Sequence, residues 1–345
     1  MKKRFRITMI ILAVISAISI CVTVGLGPVN VSLGSTVDVI CGQIPVLNIF
    51  SKGNYDMIEY NIVWQMRMPR VLLGFIVGGA LSVCGVAMQA LIRNKLADPF
   101  VLGVSSGSSA FATVFMVTGW LSFLGTYALP VSAFIGAAVS IVAVYAISRV
   151  RGRVNITHLL LAGVAISMMM DAFTKAVALG AKNALAIHNL DFWMTGSLAG
   201  AKWSYLGLPL VVMLMCLAFL MINWRTMNAL LLGDDTAVTL GINVPRMQKA
   251  LVLVSSLLAG VTIAVSGSIG FIGLMVPHIC RIVAGSDHKR ILPMSVLLGG
   301  CFVIWADVAA RMILAPEELP VGILTAVIGG PCFIIMLKSK SGRLV

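Results

Sequence analysis

Long apolar runs separated by short polar stretches repeat along this chain from one end to the other. The run Val71 to Ile92 holds no Asp, Glu, Lys or Arg. At about 1.5 Å rise per residue, a helix of that length crosses the roughly 30 Å hydrocarbon core of a bilayer. Charge-free or nearly charge-free runs predict ten such spans, at about 7–26, 71–92, 100–118, 127–148, 156–181, 203–224, 250–268, 270–284, 291–311 and 320–337. The block 99–148 has no charged residue and is too long for one crossing, and Gly119 to Pro130 offers its break. The block 250–280 is broken likewise at Ser266-Gly267-Ser268. The run Gly270 to Ala284 is short and holds Pro277 and His278, which suits a broken helix buried in protein rather than one facing lipid. The stretch 67–107 organises the rest. Gly74 and Gly78 make a small-xxx-small spacing, and Gly79, Ala80, Ser82, Gly85 and Ala87 keep the helix thin. Thin helices let neighbouring backbones approach closely, which places this one inside a bundle.

Composition turns these runs into a class. Of 345 residues, 59% are hydrophobic and 11% charged, with a mean hydropathy of +1.03. A soluble domain is roughly 45–50% apolar and about 25% charged. The chain is therefore an all-α integral membrane protein, read as one membrane domain over 1–345. The first span follows Lys2, Lys3, Arg4 and Arg6 and lacks an A-x-A cleavage signal, so a retained anchor is expected rather than a signal peptide.

The net charge of +13 sits in short loops between apolar runs, a distribution that does not suit nucleic-acid binding. With ten spans, one side collects all but seven of the 25 basic residues, the seven being Lys52, Arg67, Arg70, Lys175, Lys182, Lys202 and Arg311. The positive-inside rule then puts both termini in the cytoplasm. Six of the seven cysteines lie in apolar runs, and only Cys41 falls in an expected aqueous loop. There is no CxxC pair, so neither a disulfide framework nor a metal site is implied.

The largest cytoplasmic loop, 225–249, reads RTMNALLLGDDTAVTLGINVPRMQK. Asp234 suits an N-cap, Asp235 a first turn, and Gly241 a left-handed helix end. A pair of short helices carrying apolar Leu230 to Leu232, Val238 and Leu240 into water suggests docking to another protein, with a loop folded back on its own domain as the alternative. Asp307 and Arg311 lie four apart and share one helix face, as do Asp171 and Lys175. Intramembrane charges are costly and often functional, so a proton-coupled transporter using Asp171 or Asp307 is one reading. For Asp171 and Lys175 a structural pair or a snorkelling charge is favoured. Ser105 or Ser106 with His278 would make an intramembrane serine protease, but Gly and Ser are common at membrane helix contacts and the signal is weak. No GxxxxGK[ST] exists, so the chain has no P-loop for ATP.

Five stretches, in order, resemble the permease subunits of binding-protein-dependent ABC importers for iron-siderophores, haem and cobalamin. They are RMPR at 67–70, GVAMQALIRNKLADPFVLGVSSG at 85–107, LGDDTAVTLGINV at 232–244, GFIGLMVPHICRIVAGSDHKRILP at 270–293, and ADVAARMILAPEELPVGILTAVIGGPCFIIML at 306–337. The resemblance implies the type II ABC importer permease fold, with ten helices per subunit in a homo- or heterodimer and the pathway between subunits. It implies two ATP-binding subunits on the cytoplasmic face, which hold the ATP and magnesium, so this chain binds no cofactor and catalyses no reaction. It also implies a binding protein outside that delivers the metal-chelate. Arg67, Arg70 and Arg311 match the positions that receive acidic residues of that protein in the cobalamin relative. Leu232, Gly233, Asp234, Asp235, Ala237, Leu240 and Gly241 match the element that couples to the ATPase.

Overall fold

The computed structural model describes residues 2–44, 48–50, 53, 55–150, 153–181 and 184–339. Lys52 and Lys182, two of the seven outlying cations, lie outside them. The helices in chain order are α1 (Lys2–Gly25), α2 (Leu33–Gln43), α3 (Met57–Tyr60), α4 (Met68–Ile92), α5 (Val104–Thr118), α6 (Ala128–Ser148), α7 (Ile156–Leu179), α8 (Ala184–Met194), α9 (Gly207–Ile222), α10 (Trp224–Leu230), α11 (Asp234–Thr239), α12 (Val244–Ser266), α13 (Ile272–Ala284), α14 (His288–Met312) and α15 (Val321–Ser339). A two-residue antiparallel pairing, Arg149 with Val154 and Val150 with Arg153, joins α6 to α7.

A helix stands at every one of the ten expected spans. Among the described residues, seven helical segments are long and apolar enough to cross a membrane, and α5, α13 and α15 are the shorter apolar ones. The expected breaks fall where the backbone leaves helical space: α5 stops at Gly119 (φ 71°) and α12 at Gly267 (φ 64°). Both glycines take a left-handed φ that a side chain would resist. Three elements were not expected. α2 is a short helix capped by Ser32, whose hydroxyl accepts the Ser35 N–H at 2.9 Å, and it carries Cys41 out of the loop expected for it. α3 leads through a π-turn over Asn61–Arg67 straight into α4. α8 precedes α9. None of these is long enough to register as a membrane run.

α4 forms the core, and every residue from Met68 to Leu91 is buried except Leu72 and Phe75. It packs on α14, α12, α13, α9 and α1. The thinness read from its glycines is used directly. A Cβ at Gly78 would collide with the carbonyl of Gly299 on α14, and one at Gly85 with the carbonyl of Gly273 on α13. Backbones therefore touch at both crossings. Gly74 faces Leu198 and Ile304 more loosely.

The bundle has two ends. At the near end α1 begins, α4 and α13 finish, and α14 begins. At the far end α1 finishes, α4 begins and α14 finishes.

Gly78→Leu is expected to destabilise the purified protein in detergent by about 1–3 kcal/mol or more, because the crossing has no room to repack. Gly330→Ala, on open space in α15, should change the unfolding midpoint little. Equal midpoints for the two variants would contradict the close crossing.

Candidate docking and coupling sites

At the far end, three arginines converge on α1 and α14. Arg67 closes the π-turn that enters α4. Its guanidinium donates to the carbonyls of Gly25 (2.9 Å), Val24 (3.4 Å) and Val29 (2.5 Å). Arg311 Nη2 donates to the carbonyl of Thr23 at 3.2 Å. The last carbonyls of a helix have no partner within it, and cations there also complement the helix dipole. Arg67 and Arg311 thus cap the end of α1.

Arg70 does something different. Its Nε and Nη2 donate to both oxygens of Asp307 at 2.9–3.0 Å, and its Nη1 donates to Glu318 at 2.9 and 3.1 Å. Arg311 Nε lies 3.3 Å from Asp307 Oδ2, an ion pair without a hydrogen bond. The expected Asp307–Arg311 pair is present, but as part of a network that also holds α4.

Cations that receive acidic residues of a docked protein would be exposed, and these three are not. Arg67, Arg70 and Arg311 are 5%, 9% and 2% accessible. A membrane protein cannot leave three guanidinium groups near the bilayer without partners, so it folds carbonyls and carboxylates over them. They still border a cavity of about 370 Å³, together with Gln65, Lys202 and Glu318. Lys202 is exposed and lies over the Tyr205 ring. Four cations against Asp307 and Glu318 leave the cavity positive. Lys202 was visible in sequence only as one of seven outlying cations, and Glu318 only as part of the turn before α15.

At the near end, α10 and α11 are the two short helices expected in the 225–249 loop. α12 starts at Val244, earlier than expected, because Asn243 caps it and Pro245 fits its first turn. The N-cap of α11 is Gly233, with φ 106°, rather than Asp234. Asp234 sits one position inside, where its carboxylate accepts from Arg93 Nη2 at 3.0 Å and ties the loop to the end of α4. Asp235 is exposed in the first turn, Ala237 is buried, and Gly241 takes a left-handed φ of 79° after Leu240. Leu231, Leu232, Val238 and Leu240 form an exposed apolar surface, with Leu232 at 66% and Leu240 at 61%.

The loop also grips α14. Asn228 on α10 donates to Asp287 Oδ1 at 2.9 Å, and its own oxygen accepts the His288 N–H at 3.0 Å and faces His288 Nδ1 at 2.6 Å. Trp224 lies between the cations of Arg225 and Lys289, which sit 5.1 and 5.3 Å from its ring.

Several of the rival groups are held in structural contacts. Ser105 Oγ is bonded to Ser268 Oγ beyond α12, which makes it a helix-to-loop tie. Asp307 is locked between two guanidinium groups. Asp171 and Lys175 are both exposed on α7, and no ion pair joins them among the described residues.

This arrangement is that of a polytopic helical bundle with a charged network at one end and a pair of short helices at the other. Residues 11–339 match the FecCD transport family, and the chain belongs to it, as an ABC transporter permease subunit rather than an enzyme. It is 40% identical over 298 residues to the uncharacterized ABC transporter permease protein YvrB of Bacillus subtilis, covering 85% of this chain and 84% of that one. It is 40% identical over 285 residues to the hemin transport system permease protein HmuU of Yersinia pestis, covering 81% and 85%. Among solved structures it resembles an inward-facing conformation of a metal-chelate type ABC transporter, with TM-score 0.82 and 27% identity, over 96% of this chain and 99% of that one.

Asp307→Ala leaves buried Arg70 with only Glu318 and buried Arg311 with only the Thr23 carbonyl, and is expected to cost about 3–5 kcal/mol in detergent unfolding. Glu318 is partly exposed, and Glu318→Ala should cost only about 0.2–1 kcal/mol. A small loss at Asp307 would contradict the network.

Proposed function

We propose that this chain is the membrane permease of an ATP-driven importer for a ferric siderophore or a similar metal-chelate such as haem or cobalamin. An extracytoplasmic binding protein delivers the cargo, and two ATP-binding subunits drive the cycle. The near end is then cytoplasmic, in keeping with its excess of Lys and Arg. The carrying observation is the exposed apolar surface of α10 and α11. Four large aliphatic side chains turned to water, Val238 on α11 and Leu231, Leu232 and Leu240 at the ends of the two short helices, call for a protein partner. In this reading Leu232, Gly233, Asp234, Asp235, Ala237, Leu240 and Gly241 form the element that enters the ATPase. Gly233 and Gly241 shape its ends, Ala237 anchors it to the bundle, and Leu232 and Leu240 supply the contact.

The cycle follows from what that element holds. ATP closes the two ATPases, and α10 and α11 travel with them. Through Asn228, α10 carries the start of α14. Two global arrangements of the bundle are then biased by whichever partner binds each better.

The far-end cavity receives the binding protein. Arg67, Arg70 and Arg311 set a positive floor beneath it, and Lys202 is the cation that an acidic residue of the partner reaches first. Their burial makes the three arginines a fixed field rather than flexible hooks. A second permease subunit, of the same chain or a paralogue, covers α7. Asp171 and Lys175 lie within the span yet face out of the monomer, and lipid is a poor environment for both. A pathway between two subunits would give them water and each other.

Reconstituted with the ATPase and the binding protein in proteoliposomes, the permease should import the chelate only with ATP, and should continue when the proton gradient is collapsed. Leu232→Asp with Leu240→Asp should abolish ATPase co-purification, and Lys202→Glu should weaken capture of the loaded binding protein, both without loss of folding. Uptake that follows the proton gradient, or a fully coupled Leu232/Leu240 variant, would overturn the reading.

A further inference from the structure

Two cavities lie on the outside of the bundle, each bordered by α13 and α14, and neither belongs to the docking or coupling sites described above. The first, about 460 Å³, is at the near end, between the start of α1 (Phe5, Ile7), the end of α13 (Val283, Gly285) and Arg290 in the first turn of α14. The second, about 420 Å³, continues between α13, α14 and α15, over Val276, Ile279, Leu298, Phe302, Trp305 and Ile328. Val276, Ile279 and Val283 share one face of α13, so the two are joined by a continuous apolar stripe. Ile279, Val283, Trp305 and Ile328 are all exposed along it.

The two ends differ in chemistry. The second cavity is walled almost wholly by aliphatic and aromatic side chains. The first has a cation on its wall with little to satisfy it. Arg290 Nε is 3.8 Å from Asp287 Oδ2, too long for a hydrogen bond. Asp287 Oδ1 is occupied by Asn228 and the Lys289 N–H. Among the described residues Arg290 donates no side-chain hydrogen bond, and its guanidinium rests on the Phe5 ring at 5.8 Å. Arg6 is exposed nearby on α1. Asp287 is the acid close to this wall; its Oδ1 is engaged by Asn228 and the Lys289 N–H, and its Oδ2 offers Arg290 only a loose ion pair at 3.8 Å.

Position and length complete the case. Ile7, Ala284 and Ile291 mark the ends of apolar runs, so Arg290 stands at headgroup level. From Arg290 to Trp305 is about 22 Å along α14 at 1.5 Å per residue. One leaflet with its headgroups is also about 20–22 Å deep, half of a roughly 40–45 Å bilayer. A cation at the interface, followed by an apolar groove one leaflet deep, matches a single lipid.

We propose that this groove holds one anionic phospholipid, with its phosphate on Arg290 and an acyl chain laid along Val283, Ile279 and Trp305. A free phosphate would have no use for the groove, and a zwitterionic headgroup offers the same phosphate but brings an ammonium that the guanidinium repels. A basic recess between spans at a membrane interface is the kind of place where anionic headgroups bind. The proposal does not depend on the cargo or on the docking of a binding protein.

The test uses the purified permease with its ATPase in nanodiscs. Phosphatidylglycerol brominated on its acyl chains is titrated against phosphatidylcholine brominated in the same way. The readout is the quenching lost on Trp305→Phe, which isolates that indole. Phosphatidylglycerol should quench Trp305 at lower mole fraction than phosphatidylcholine. Arg290→Gln should lower its apparent affinity about five-fold, the equivalent of about 1 kcal/mol for one interfacial cation, and leave phosphatidylcholine unchanged. Arg290→Lys should retain most of the preference, which guards against a folding defect in the Gln variant. Inorganic phosphate should not relieve the quenching. The proposal is overturned if both lipids quench alike, if Arg290→Gln changes nothing, if inorganic phosphate competes, or if neither lipid reaches Trp305 because a protein subunit covers it.

Discussion

A guanidinium and a carboxylate far apart in sequence meet inside the bundle, and α4 and α14 are fixed by that meeting. Arg70 and Asp307 are 237 positions apart and share three hydrogen bonds of 2.9–3.0 Å in a nearly water-free setting. Removing either from water costs several kcal/mol per ion, so each is tolerable there only with the other in place. The same two helices cross with backbones in contact at Gly78 and Gly299. One constraint sets their separation and the other their register. Arg311 and Arg67 then extend the clasp to the carbonyls that end α1. The result is a unit of α1, α4 and α14 with its charges inside and its apolar faces outward.

α14 links the two candidate sites. Its first residues are held by Asn228 of the near-end loop, and its last two turns carry Asp307 and Arg311 beneath the far-end cavity. A rigid element touching both sites is a physical route for coupling, in contrast to a chain of residues that merely lie between them. Under the proposed function, movement imposed on α10 reaches the far end by displacing this unit as a body. The exposed charges of α7 and the exposed leucines flanking α11 are where the unit's neighbours would be felt.

Much of this was legible in the chain. Hydropathy located ten spans because a bilayer demands length and greasiness in one continuous run, and glycine spacing marked α4 as central because only small residues permit its contacts. The short helices of the near-end loop were legible from Asp235 and Gly241. α2 and α8 were not, since a helix of 11 residues leaves no bilayer-length run. The burial of Arg67, Arg70 and Arg311 was not legible either. Local spacing shows the Asp307–Arg311 pair, but Arg67 is covered by carbonyls at and just beyond the end of α1, and Arg70 by carboxylates more than 200 residues away, contacts that no local pattern encodes. Asp234 is the same lesson at small scale: its spacing suits a cap, yet Arg93 draws it into an ion pair, and Gly233 takes the cap position with a backbone angle that costs glycine little.

The central claim is that α4 and α14 move as one body. It is tested most directly by the distance between spin labels at Gln65→Cys, just before α4, and Met312→Cys, at the end of α14, with accessible native cysteines replaced. Measured by pulsed electron resonance in the complex with its ATPase, with and without trapped ATP, the distance should stay single and unchanged. A shift on the order of one helical turn, about 5 Å, would contradict it.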